Sequence, residues 1–114
     1  MPEMGGVVIT QEAMESALLF LATSADSYAF AKARRVWLEG RLKIERSAAF
    51  LNSEGKTIAE REALAYQSES YVKCNNDLQD AVVEEEKLKA QRLAAETRIA
   101  AWQTLSANQR ARNV

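Results

Sequence analysis

Cations interleaved with an aromatic ring crowd one short stretch of this sequence. Between Lys32 and Arg46 stand six basic residues (Lys32, Arg34, Arg35, Arg41, Lys43, Arg46) against two acids, Glu39 and Glu45, a local balance of +4 in a chain of formal net charge -1. Arg34 and Arg41 lie seven apart and flank Trp37. Charges for phosphates and a ring for base stacking are what a track for single-stranded nucleic acid needs. The same residues have a plainer use, with Trp37 in a core and the arginines paired to Asp77, Asp80, Glu84, Glu85 and Glu86 on a facing antiparallel helix. A second cluster closes the chain: Arg98, Trp102, Gln103, Asn108, Gln109, Arg110 and Arg112. A mobile basic tail lets a near-neutral protein reach an anionic partner, and it serves equally as a solubilising terminus. The candidate nucleic-acid contacts are therefore Lys32, Arg34, Arg35, Trp37, Arg41, Lys43, Arg110 and Arg112.

Covalent and metal chemistry find little to work with. Cys74 is the only cysteine and there are no histidines, so the thiol has no imidazole to activate it and reads as packed and inert. The acid pairs Glu12/Glu15 and Asp77/Asp80 have the three-residue spacing seen in helical magnesium sites, but neither has the second, facing pair that such a site requires. Glu84, Glu85 and Glu86 read as a solvated face with one inward residue. No glycine-rich phosphate loop and no zinc spacing occur. The expectation is a non-enzymatic protein with no catalytic residue, no metal and no cofactor. An acid-lined helical hydrolase is the remote rival, to be revealed by metal-dependent nucleotide turnover.

The elements that carry these residues are helices. Pro2 is the sole proline and glycine occurs at 5, 6, 40 and 55, which leaves a long breaker-free run rich in helix formers. Residues 1–9 read as a tail in which Val7, Val8 and Ile9 pack on the body or pair as an arm. Thr10 caps a short helix over about 11–22, with Ala13, Met14, Ala17, Leu18 and Leu21 on one face. Thr23, Ser24, Asp26 and Ser27 offer several caps and predict a break. A long helix follows over about 25–52, with Phe30, Trp37, Ile44 and Leu51 spaced by seven beside Ala31, Leu38, Leu42 and Ala49. Together these form a broad apolar stripe, and Gly40 within it suggests a close helix approach.

The turn is read at Asn52 to Lys56, with Gly55 left-handed to end the helix. Thr57 and Glu60 then form a capping box for a short helix over about 58–67. Ser68, Glu69 and Ser70 cap a last helix over about 70–106, roughly 54 Å long at 1.5 Å per residue. Its seam is a three-four repeat: Tyr71, Cys74, Leu78, Ala81, Glu85, Leu88, Arg92, Ala95, Ile99 and Trp102, widened by Val82 and Leu93. Glu85 and Arg92, one heptad apart, are polar seam positions that set register or pairing. The polar tail 108–114 reads as flexible. The fold class is all-α: a long antiparallel, coiled-coil-like helical hairpin with a short helix at the turn and a short N-terminal helix, a single domain over 10–107.

A chain of 114 residues, 47% hydrophobic but with alanine supplying much of that share, has little core for a lone monomer. Self-association into a homo-oligomer is expected. The near-balanced charge counts against bulk electrostatic binding of nucleic acid. No apolar stretch is long enough to span a bilayer, and Met1-Pro2-Glu3-Met4 lacks the basic start of a signal peptide; no membrane association is expected.

Three segments carry a resemblance: Ala31 to Glu39, Thr57 to Ala63, and Ala95 to Asn108. They look like small helical accessory proteins of tailed bacteriophages, of the kind encoded near recombination and replication genes. The resemblance implies a phage protein of the host cytoplasm that assists recombination by contacting single-stranded DNA or a recombinase. The alternative is a purely protein-binding adaptor, or an inhibitor of a host factor, with no nucleic-acid binding.

Overall fold

The computed structural model describes residues 9–113, and every regular element among them is a helix. α1 runs Gln11–Leu51, α2 Ile58–Gln67 and α3 Glu69–Arg112. The chain divides into two compact units, one holding the described residues 9–27 and 87–113, the other Tyr28–Glu86. In each unit a stretch of α1 lies antiparallel to a stretch of α3, as a helical hairpin requires. The tail residues Val7 and Val8 lie outside the described residues.

The expected short N-terminal helix and the break after it are absent: α1 passes straight through Thr23–Ser27. Thr10 does cap its start, accepting the Ala13 N–H at 3.1 Å. At the expected break, the Thr23 and Ser24 hydroxyls have another use. Thr23 donates back to the Leu19 carbonyl at 2.9 Å, a bond that Thr makes inside helices. Ser24 is buried and accepts from Arg92 of α3 at 2.8 Å. Two of the expected caps are thus engaged within the continuous helix.

The inward stripe of α1 also differs from expectation. Its buried residues are Ala17, Ser24, Ala31 and Leu38, spaced by seven. Met14, Leu21, Tyr28, Arg35, Leu42 and Ala49 interleave with them as half-buried neighbours. This is a three-four seam of mostly small residues. Phe30 (75% exposed), Trp37 (64%), Ile44 (56%) and Leu51 (74%) stand outside it. The reason is geometric: residues 31 and 38 sit one position, about 100° of helix, beyond 30 and 37, so one stripe cannot hold both sets. The small residues take the inside because they let the two backbones approach.

On α3 the expected seam is the observed one. Cys74, Leu78, Ala81, Glu85 and Ala95 are buried, and Tyr71, Leu88, Arg92, Ile99 and Trp102 are half-buried. Val82 flanks it, but Leu93 is exposed and does not widen it. In the second unit Leu38, Cys74, Leu78 and Ala81 form one core cluster with Leu42 and Val82 against it. The Cys74 thiol points at the Leu38 carbonyl, 4.0 Å away. α3 continues to Arg112, with the Asn113 N–H on the Gln109 and Arg110 carbonyls, so the described part of the expected flexible tail is helical.

The turn is held by specific bonds. Thr57 accepts the Glu60 N–H at 3.1 Å, and the Glu60 carboxylate accepts the Lys56 N–H at 2.8 Å. The capping box is thus present, shifted by one residue on its return leg. Gly55 is not left-handed; no described residue has positive φ. Glycine is required there by crowding, because a Cβ would sit 2.9 Å from the Arg61 amide nitrogen and 3.1 Å from Glu60 atoms. The Arg61 guanidinium closes the turn by donating to the Gly55 carbonyl at 2.9 Å. Ser68 then serves both neighbouring helices: its hydroxyl donates to the Ala65 carbonyl at 2.9 Å and accepts from the Tyr71 N–H at 3.3 Å.

Two substitutions test this turn by chemical denaturation. Gly55→Ala is expected to destabilise by about 1–3 kcal/mol through overpacking. Thr57→Ala is expected to cost about 1 kcal/mol through the lost cap.

Candidate interaction face on the first long helix

The residues expected to contact nucleic acid separate into four groups. Arg34, Trp37 and Arg41 share one exposed face of α1, because spacings of three and four return to the same side of a helix. Lys32 and Lys43 are exposed too, but they lie five and six positions from Trp37 and so on the far flank of that face. Arg35 is on neither side. It enters the seam, where its guanidinium donates two bonds to Glu85 and reaches Glu39 at 2.6 Å. Its expected availability to a ligand is corrected accordingly. Arg110 and Arg112 are exposed in the last turn of α3, in the other unit.

The plainer reading of the basic stretch is realised in part: an arginine pairs with the facing helix, but the tryptophan is not core. Arg34 pairs with Glu84 at 3.6 Å, and Arg41 with Glu45 on its own helix at 2.8 Å. Among the described residues, Lys32 and Lys43 make no ion pair. Arg46 lies over the Tyr66 ring, 5.4 Å from its centroid, and Tyr66 packs edge-on against Tyr71. Trp37, by contrast, is not core. It borders a shallow groove of about 230 Å³ with Leu38, Arg41, Glu45, Ser70, Lys73, Cys74 and Asp77.

The polar seam positions found their partners on α1. Glu85 is 6% exposed and bound by Arg35. The hydrogen bonds with Glu85, then those with Glu39, hold the Arg35 guanidinium well above the usual arginine pKa. A raised pKa of this kind contributes stability that is present at all pH values below the ordinary arginine range and is lost only above it. The cation therefore makes no contribution to pH-dependent unfolding near neutrality. In the other unit, Arg92 donates to the Leu21 carbonyl and to Ser24, both at 2.8 Å. Each polar seam residue can meet its partner in only one register of the hairpin, the best-attested use of a buried polar group.

No group of three or more His, Cys, Asp or Glu side chains among the described residues could hold a metal, and no described helix is long and apolar enough to cross a membrane. The feature that sequence reasoning placed on the wrong side is the stripe Phe30, Trp37, Ile44 and Leu51. Its heptad spacing was visible, and the adjacent heptad of small residues was the signal that it lay outside.

Removing one partner of the Arg35–Glu85 pair leaves the other charge without compensation. Thermal unfolding is expected to show a lowered midpoint for Arg35→Met and for Glu85→Leu alone. The combined variant should recover most of the loss. Compared with known families, curated proteins and solved structures, the chain matches no family model, no curated protein and no solved structure.

Proposed function

We propose that this chain is a non-enzymatic interaction protein that presents the outer face of α1 to a partner. One observation carries the reading: four large apolar side chains at heptad spacing, Phe30, Trp37, Ile44 and Leu51, stand exposed on a single helix face. An isolated exposed apolar residue needs no explanation, but an aligned row of four marks a binding surface. A row at this spacing is the shape of a helix-docking seam. On the resemblance to phage accessory proteins, the proposed setting is phage recombination or replication in the host cytoplasm, with a recombinase as the proposed protein target. A host factor is the alternative target for the same face.

Direct contact with single-stranded DNA is a second reading, favoured by the exposure of Trp37 between Arg34 and Arg41. It asks those two arginines to exchange Glu84 and Glu45 for phosphates. It also predicts a steep loss of binding with salt.

The two readings separate in one pair of measurements. A photo-crosslinking residue at Ile44 is expected to give a discrete protein adduct in phage-infected cells, and the same residue at Asn76 on α3 none; equal labelling from both positions contradicts the docking reading. Trp37 fluorescence in a Trp102→Phe background is expected to stay constant when single-stranded oligonucleotide is added at low salt. Quenching that salt reverses, and that Arg34→Ala with Arg41→Ala abolishes, establishes the single-strand reading instead.

A further inference from the structure

The outer face of α1 carries more pattern than its four large residues. Phe30, Ala33, Trp37, Gly40, Ile44, Ser47 and Leu51 follow one another at spacings of three and four, alternating large and small. All seven are exposed. α1 thus bears two seams, one filled by α3 and one empty. We propose that the empty seam is filled by the same seam of a second copy of this chain, running antiparallel. This rests on the reading of the face as a docking surface and puts a second copy, rather than a recombinase or host factor, on it.

The alternation decides the orientation. In a parallel pair each seam position meets itself, so Trp37 would stack on Trp37 and Gly40 would face Gly40, crowding one layer and emptying the next. In an antiparallel pair the two kinds of seam position face each other. Trp37 of one copy then lies over Gly40 of the other, Ala33 against Ile44, and Phe30 against Ser47. Phe30, Trp37 and Ile44 each meet a small residue, Leu51 lies beyond the last such layer, and the two-fold axis repeats each layer, as a self-complementary interface requires.

Gly40 supports this independently. A glycine weakens a helix interior, and nothing in its own chain calls for one here, since a Cβ would meet nothing within 4 Å. The open space over Gly40 is where the indole of the second copy would sit.

Area and charge agree. At their observed exposures, the four large side chains offer on the order of 500 Å² per copy, taking 150–250 Å² for a fully exposed large side chain. With Ala29, Val36, Ala48 and the arginine stems beside them, two copies reach the lower range of stable interfaces, roughly 1,200 Å² in total. One flank of the seam is apolar or small, with Ala29 and Val36. The other carries Arg34, Arg41 and Glu45, and antiparallel pairing sets Arg34 of one copy beside the Arg41–Glu45 ion pair of the other. Lys32 points away from the contact, and Lys43, one heptad on from Val36, stands at the rim of the apolar flank; neither makes an ion pair among the described residues. The thin intrachain core supplies the need, because among the described residues no large side chain is fully buried in it.

Sedimentation of the full chain over a concentration series tests the pairing. Wild type is expected to form a dimer of twice the 12.7 kDa chain. Gly40→Glu should keep the helical circular dichroism spectrum and weaken association about tenfold or more, while Asn76→Glu leaves it unchanged. In a Cys74→Ser background, Phe30→Cys should not cross-link to its own copy, roughly 25 Å away at 1.5 Å per residue, but should cross-link to a copy carrying Ser47→Cys. A monomeric wild type, a Gly40→Glu variant that pairs as tightly as wild type, or self-linking of Phe30→Cys overturns the proposal. A monomeric wild type would still leave the docking reading standing wherever the Ile44 photo-adduct contains a different protein.

Discussion

The close approach of α1 and α3 is the constraint on which the rest of this molecule depends. It is made by small residues at heptad spacing. Ala17, Ser24, Ala31 and Leu38 on α1 face Cys74, Leu78, Ala81, Glu85 and Ala95 on α3 within the two units. Small side chains let backbones come near and gain dispersion contacts along the whole contact, but each removes little apolar area from water. Such a seam sets geometry well and contributes modestly to stability. It also leaves Phe30, Trp37, Ile44 and Leu51 about 100° round α1 from that seam, so their exposed row is a consequence of how the hairpin closes.

A seam of small apolar residues specifies register weakly, since one alanine fits where another does. The polar seam residues supply what it lacks. Glu85 finds Arg35, and Arg92 finds Ser24 and the Leu21 carbonyl; a slip of one heptad would strand each of them in an apolar stretch. Paired charges of this kind are retained for specificity more than for net stability. The turn works the same way at shorter range, where Gly55, Thr57, Arg61 and Ser68 use backbone bonds to fix where α2 starts and where α3 takes over.

Much of this was legible in the residues, and the exceptions have definite causes. The α3 seam, the turn, the bounds of α2 and the capping role of Thr57 all followed from local spacing and side-chain chemistry. The break after residue 22 did not materialise, because capping potential is settled by competing partners. Arg92, sixty-eight positions away from Ser24, is such a partner, and short-range patterns do not register it. Gly55 was identified as essential for a backbone angle, whereas it is essential for space. On α1, bulk is a poor guide to burial. Two adjacent heptads compete for the inside, and the one that packs on Cys74, Leu78 and Ala81 of α3 is that of Leu38, not that of Trp37. For the candidate contacts, exposure of Trp37 and engagement of Arg35 were both invisible until that choice of seam was known.

The functional account follows from which stripe of α1 faces inward. Comparing thermal unfolding of Leu38→Asp and Trp37→Asp, at low protein concentration, tests that most directly. Leu38 is 5% exposed in the seam, so a carboxylate there is buried without a partner and the hairpin should lose its cooperative transition. Trp37→Asp should retain the helical spectrum and a midpoint close to wild type. The reverse order, with Trp37→Asp unfolded and Leu38→Asp intact, would mean that the large-residue stripe is the core, and would contradict the account.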